Sequence, residues 1–181
     1  SSPSNVDIAI TALGLSESFA DAIEIGERDL KRKKRLDEIE KRLINTNTKN
    51  SEKVHLVLEA VVLAREIECP EDKTMGLIER CIRISKKYGT KVEIAKAYST
   101  AAWTIYWWYL DPNLYYEYYQ EYERRTIEEH NVHLFTELIA LWINLNSLVV
   151  EGTLEINIEK HKLIVQNEYK IFISDQTKPN T

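Results

Sequence analysis

The chain has 181 residues, of which 44% are apolar and 29% charged, and a formal net charge of −5. That is long and apolar enough to bury one domain-sized core, while five Gly, four Pro and two Cys exclude collagenous, low-complexity and disulfide-framed classes. Basic and acidic side chains balance over the first fifty residues, so the whole −5 falls after residue 50; nucleic acid is not expected as a partner, because neutralising phosphates supplies most non-specific affinity.

In chain order, Ser1–Ser4 with Asn5 and Asp7 lacks the basic and apolar regions of a signal peptide. Asn5 to Leu13 reads as a short helix ended by Gly14. Ser16 can cap a second helix, with Leu15 as its staple and Phe19, Ile23 and Leu30 as its stripe. The apolar phase breaks at Lys31-Arg32-Lys33-Lys34-Arg35 and resumes with Leu36, Ile39 and Leu43, so a bend or a junction of two helices is expected there. Asn45-Thr46-Asn47-Thr48-Lys49-Asn50 is a polar loop and the expected internal boundary.

Ser51 then caps a helix with Val54, Leu58, Val61 and Val62 in phase. The next starts at Pro70, points Leu77, Ile78, Cys81, Ile82 and Ile84 inward, and closes at Gly89 in a left-handed conformation. Thr90 and Glu93 form a capping box for a helix from Val92 to Leu110, apolar almost all round, with small residues Ala95, Ser99 and Ala102 where a neighbour can come close. Asp111-Pro112 opens the next helix, which bears Tyr115, Tyr116, Tyr118, Tyr119 and Tyr122. Asn131 is expected to play the part of Gly89 one unit later and to open a helix over Val132 to Glu151 that buries Phe135, Leu138, Ile139, Trp142, Leu145 and Val149. Gly152 ends that helix, and a last one runs from Thr153 to about Ile173 with Ile156, Leu163, Ile164 and Phe172. The most hydrophobic stretch, Ala101 to Leu110, falls short of a membrane span, so a cytoplasmic protein is expected.

These stop signals recur about every forty residues. Lys86-Lys87-Tyr88-Gly89-Thr90 leading into Ala95-Lys96-Ala97-Tyr98, with its echo from Glu128 to Leu141, resembles the tetratricopeptide-like superfamily of helical repeats. The resemblance spans about residues 51–173, with a unit longer than the standard thirty-four. It implies an all-α protein of eight or nine helices, paired antiparallel and stacked as a short solenoid over residues 51–174. Residues 1–50 form an N-terminal cap or assembly segment, and residues 175–181 a disordered tail. It also implies a groove that binds a protein or peptide.

No motif for catalysis is present, and no enzyme activity, cofactor or metal is expected. His130 and His133 beside Glu128 and Glu129 lack further ligands at zinc spacing, Glu52 and His55 give a single E-x-x-H where a di-iron bundle needs two, and His161 between Lys160 and Lys162 reads as surface. Cys69 and Cys81 read as structural thiols. The basic run Lys31–Arg35 is bracketed by Glu24, Glu27, Asp29, Asp37, Glu38 and Glu40, as in a salt-bridged helix.

The aromatic block stands out. Trp103, Tyr106, Trp107 and Leu110 share one helical face, leaving Trp108 and Tyr109 turned elsewhere; Tyr116 and Tyr119 diverge similarly from Tyr115, Tyr118 and Tyr122. These rings either pack between helices or form a contact surface. The expected partner-binding set is Tyr98, Trp108, Tyr109 and Trp142, with Arg124 and Arg125 as a polar rim. The expected function is a non-catalytic protein–protein interaction module that can also self-associate. The alternative is a regulatory or sensor segment of a transcription- or signalling-related protein, its N-terminal helices touching nucleic acid.

Overall fold

The computed structural model describes residues 17–176, and among them the protein is entirely helical, with no strand. Seven α-helices occur in order: α1 (Glu17–Ile44), α2 (Asn50–Glu66), α3 (Glu71–Tyr88), α4 (Lys91–Thr104), α5 (Pro112–Glu129), α6 (Val132–Val150) and α7 (Ile158–Gln176). A five-residue π-helical turn, Ile105–Tyr109, extends α4. The expected helix over Asn5–Leu13 lies outside the described residues, as do residues 177–181. Asp175 and Gln176, expected in the tail, belong to α7.

Each helix packs on its neighbours in sequence, and α4 also touches α2 and α6, so α2, α4 and α6 form one continuous row. The packing of α4 against four helices follows from its composition. Ala95, Ala97, Ser99, Ala101 and Ala102 are all buried, and their small side chains admit neighbouring backbones. Leu36, Ile39 and Leu43 of α1 join the same core as Val57, Val61, Leu77, Ile78 and Leu138.

The basic run does not break α1. Arg32 bridges to Asp29 within the helix and to Glu66 of α2 at 3.1 Å, and Arg35 grips Glu59 through two hydrogen bonds of 2.7 and 2.9 Å. Arg42 pairs with Glu52. The phase change marks where α1 passes from a solvent-exposed stretch, with Ile25 and Leu30 uncovered, to docking on α2 through Leu36, Ile39 and Leu43.

Local caps explain most boundaries. The Thr90 side chain accepts from the Glu93 N–H at 3.2 Å and the Glu93 carboxylate accepts from the Thr90 N–H at 2.7 Å, the expected capping box. Asp111 caps α5 through the Leu114 N–H, with Pro112 in the first turn. Asn131 caps α6 through the His133 and Leu134 N–H groups.

Other boundaries depart from the sequence reading. Ser51 is no cap: Asn50 already belongs to α2, because the Asn45 side chain and Thr48 hydroxyl close the preceding turn. Gly89 is extended, with φ −86°, rather than left-handed. Its need is space, since a Cβ there would lie 2.7 Å from the Ser85 carbonyl oxygen. Among the described residues the left-handed positions are Glu68, Leu110 and His130, with Gly152 as the glycine case, so Asn131, extended at φ −98°, does not take that part either. Thr153 caps the end of α6 by donating to the Leu148 carbonyl, and α7 begins five residues later, after Asn157 accepts from the Lys160 N–H.

The burial of α6 is rotated from expectation. Leu134, Phe135, Leu138, Leu141, Leu145 and Leu148 are buried, while Ile139 is exposed and Trp142 and Val149 are half-buried. With apolar residues on both faces, α6 is long and apolar enough to cross a bilayer by length and composition, contrary to the sequence reading of Ala101–Leu110 as the most hydrophobic stretch. Its leucine face nevertheless sits in the common core.

Two measurements check these contacts. Replacing Thr90 by Ala removes a capping acceptor and is expected to lower unfolding free energy by about 1 kcal/mol, whereas Gly89→Ala forces the Ser85 carbonyl away and is expected to lose about 1–3 kcal/mol. Denaturant titration reads both, and an unchanged midpoint in Gly89→Ala contradicts the close approach. The Arg35 hydrogen bonds hold the Glu59 carboxyl below the usual range, and the Thr90 backbone N–H does the same for Glu93. Lowered carboxyl values stabilise the fold above the ordinary carboxylate range, and that stability is lost as pH falls through the folded values. Melting temperature is therefore expected to drop between about pH 5 and about pH 3, less steeply in a Glu59→Gln, Glu93→Gln double variant.

Candidate functional site

The aromatic block gathers at the C-terminal end of α4, where the helix widens into the π-helical turn. Such turns insert an extra residue per turn and recur at functional sites. Here the turn carries Trp107, Trp108 and Leu110 into solvent at the end of the helix, with Trp107 still beside Trp103 and Tyr106. Trp107 is 59% exposed, Trp108 39% and Leu110 74%. Leu110 closes the turn in the left-handed region, φ 49°, its N–H donating to the Ile105 carbonyl at 2.8 Å. A non-glycine residue held there carries backbone strain of about 1 kcal/mol.

The turn is stiffened from both sides of the helical row. Trp107 stacks on Trp103 with planes 3° apart and centroids at 6.4 Å, and Tyr106 meets Trp107 edge-on at 5.0 Å. The Trp103 indole N–H donates to Glu137 of α6 at 3.2 Å, and Glu137 also accepts from the Tyr122 hydroxyl at 3.4 Å. On the α2 side the Arg65 guanidinium covers the Trp108 ring at 5.3 Å and donates to the Thr104 hydroxyl at 3.4 Å. Burial lowers the Arg65 pKa against the opposing pull of Glu66 and Glu137. The Tyr109 hydroxyl donates to the Cys69 carbonyl at 3.2 Å, tying the turn to the α2–α3 connection. Beyond the turn, Tyr106, Leu110, Pro112, Tyr115 and Leu148 line a small cleft of about 180 Å³.

The six residues expected to bind a partner are placed differently from one another. Trp108 and Tyr109 lie on this turn. Tyr98 is buried, not on a surface; its ring lies 6.3 Å from that of Tyr118, with Arg125 at 5.2 Å and Lys86 at 5.7 Å. Arg125 is half-buried against that ring, and Arg124 is exposed and held by Glu121 and Glu128 at 2.9 and 2.8 Å. Trp142 is on α6, lining an apolar groove of about 330 Å³ with Phe135, Ile139, Val165 and Tyr169. Sequence reasoning misses Trp107 and Arg65. Uninterrupted α-periodicity puts Trp107 on the buried face, and Arg65 lies in the phase of the apolar α2 positions.

A second constellation is polar and buried. His161 is in the interior, not on the surface, with Nδ1 3.0 and 2.9 Å from the two oxygens of Glu123 and Nε2 2.9 Å from the Tyr116 hydroxyl. Tyr119 donates to the same carboxylate at 2.9 Å, and the Tyr116 and Tyr119 rings flank the imidazole edge-on, each at 5.4 Å. Burial, with Glu123 adding, pushes the Tyr119 phenol far above its usual range. One imidazole N–H to the carboxylate and one hydroxyl to the other nitrogen satisfy the ring completely. Seven residues further along both helices, His130 Nδ1 lies 2.8 Å from the buried Glu168. The two pairs exchange acid and base between α5 and α7 and fix the register of these parallel helices.

No family model, curated protein or solved structure matches the chain. The site therefore rests on its own geometry. No group of three or more His, Cys, Asp or Glu side chains that could hold a metal ion occurs among the described residues. The Cys81 thiol is pushed up to about 12 by burial, which makes it a poor nucleophile.

The buried pair gives a specific expectation. Truncation to His161→Leu leaves Glu123 buried with only the Tyr119 hydroxyl, and is expected to destabilise the protein by about 3 kcal/mol, whereas adding Glu123→Met recovers much of that loss. A double-mutant cycle in urea measures it, and additive single losses would show that the pair is not coupled.

Proposed function

We propose that this protein is a non-catalytic interaction module of tetratricopeptide-like helix pairs that captures a protein or peptide partner on the aromatic turn Trp103–Leu110. The observation that carries the reading is the pair of Trp107 and Trp108, exposed side by side on a backbone that is both π-helical and left-handed at its end. Backbone strain held next to exposed large aromatics points to function more strongly than either feature alone. Trp107 presents an apolar plate pre-ordered by Trp103, and Trp108 presents an edge beside the Arg65 cation. Rings locked before binding lose little freedom on binding, which favours affinity.

The repeat arrangement is supported by the spacing of contacts. His55 faces Glu93, Arg65 faces Thr104, Glu123 faces His161 and His130 faces Glu168, at separations of 38 or 39 residues. Each contact joins a helix to the equivalent one a repeat later, as stacked pairs require. In this arrangement α2, α4 and α6 form the inner row, and the aromatic turn sits at one end of it.

The test is affinity capture from native extract with the wild-type chain and with Trp107→Ala and Trp108→Ala. Both substitutions are at solvent-exposed positions, and circular dichroism should report an intact fold. Each is expected to weaken a captured partner at least tenfold, as loss of an interface anchor does. Retention of every partner by the folded double variant would refute the reading.

A further inference from the structure

A different surface points to a partner of defined identity. The outward face of α6, opposite its buried leucines, is made of Val132, Thr136, Ile139, Ile143, Asn146 and Val150. These positions alternate four and three residues apart, the seam period of paired helices. The four aliphatic members are 38 to 77% exposed. The Thr136 hydroxyl donates to the Val132 carbonyl of its own helix, leaving its methyl group to the seam. No Asp, Glu, Lys or Arg lies on this face, and the one carboxylate of α6, Glu137, is turned inward onto Trp103 and Tyr122. In chemical character the seam is also a palindrome about Leu141: Val, Thr, Ile, Ile, Asn, Val.

We infer that this face pairs with the same face of a second copy, the two α6 helices running antiparallel about a twofold axis near Leu141. The identity of the occupant comes from the palindrome. In that register Val132 meets Val150 of the other copy, Ile139 meets Ile143, and Thr136 meets Asn146, so every apolar residue finds an apolar one and the two polar residues find each other. A twofold interface demands such self-complementarity, whereas an unrelated partner does not. Charge agrees with it. Two copies each bearing −5 repel over most of their surface and meet most easily through an uncharged face. At the seam ends His133 and Glu151 are eighteen residues apart, five full turns, and occupy the same flank. Antiparallel pairing brings His133 of each copy to Glu151 of the other.

The size of the face sets the strength. A helix of this length offers a footprint on the order of 300 Å² per copy, and with the small apolar groove at Trp142 and Tyr169 beside it the contact stays in the size range of weak, transient interfaces. A contact of that size is expected to associate weakly and reversibly.

Sedimentation equilibrium from about 1 to about 200 µM tests this, with a reversible monomer–dimer transition expected in that range. Ile139→Glu and Ile143→Glu replace exposed residues, so the fold should survive by circular dichroism while dimer formation falls at least tenfold. Geometry is read by mixing Val132→Cys and Val150→Cys chains under mild oxidation, where the mixed disulfide is expected to dominate over either self-linked product. A monomer at all concentrations, a dimer unaffected by Ile143→Glu, or preferential Val132→Cys self-linkage would each overturn the inference. A monomer that captures a different protein through this face also overturns it. The Trp107 and Trp108 surface is independent of this result.

Discussion

The close packing of α4 is the constraint on which everything else depends. Its buried alanines and Ser99 let four helices approach one axis. Because the small residues fill one part of the helix, its bulk must be carried at the other end, where Trp103, Tyr106, Trp107, Trp108 and Tyr109 crowd into two turns. At that π-helical end Trp107 and Trp108 are the indoles left in solvent, beside the half-buried Trp103 and Tyr106.

The polar interior is organised by the same geometry. Glu123 with His161 and His130 with Glu168 each join α5 to α7, and they satisfy carboxylates that would otherwise be costly to bury. Apolar contacts tolerate sliding, whereas hydrogen-bonded pairs at a fixed seven-residue interval do not. These pairs therefore specify the register of α7 on α5, a role for which leucines would serve poorly.

Features written in adjacent residues were legible in the sequence. Thr90 with Glu93 and Asp111 with Pro112 are complete within four residues, and the structure reproduces both. The stops near Glu68, Leu110 and His130 were legible from the Pro or Asn that follows each of them, but the left-handed residue itself was not, because none of the three is a glycine or asparagine. His161 was hidden as well. Its neighbours Lys160 and Lys162 are exposed, and on a helix adjacent residues face different ways. The aromatic concentration and the outward turn of Trp108 were legible, whereas the exposure of Trp107 was not, because its spacing from Trp103 says that the two rings meet and not which of them the neighbouring helices cover. Tyr98, expected on a contact surface, is buried beside Tyr118 of α5.

The way α7 is attached has a consequence for how the molecule opens. Its two most deeply buried side chains are a histidine and a glutamate, while Leu163, Tyr169, Ile171 and Ile173 remain in solvent. A helix held by so little apolar area and by polar pairs that water can replace forms a low-stability unit near the end of the chain. Its amide protons should exchange through local detachment rather than global unfolding. Each detachment uncovers Phe135 and Trp142 beside the outward seam of α6, so fraying of this helix transiently widens the stickiest surface of the protein.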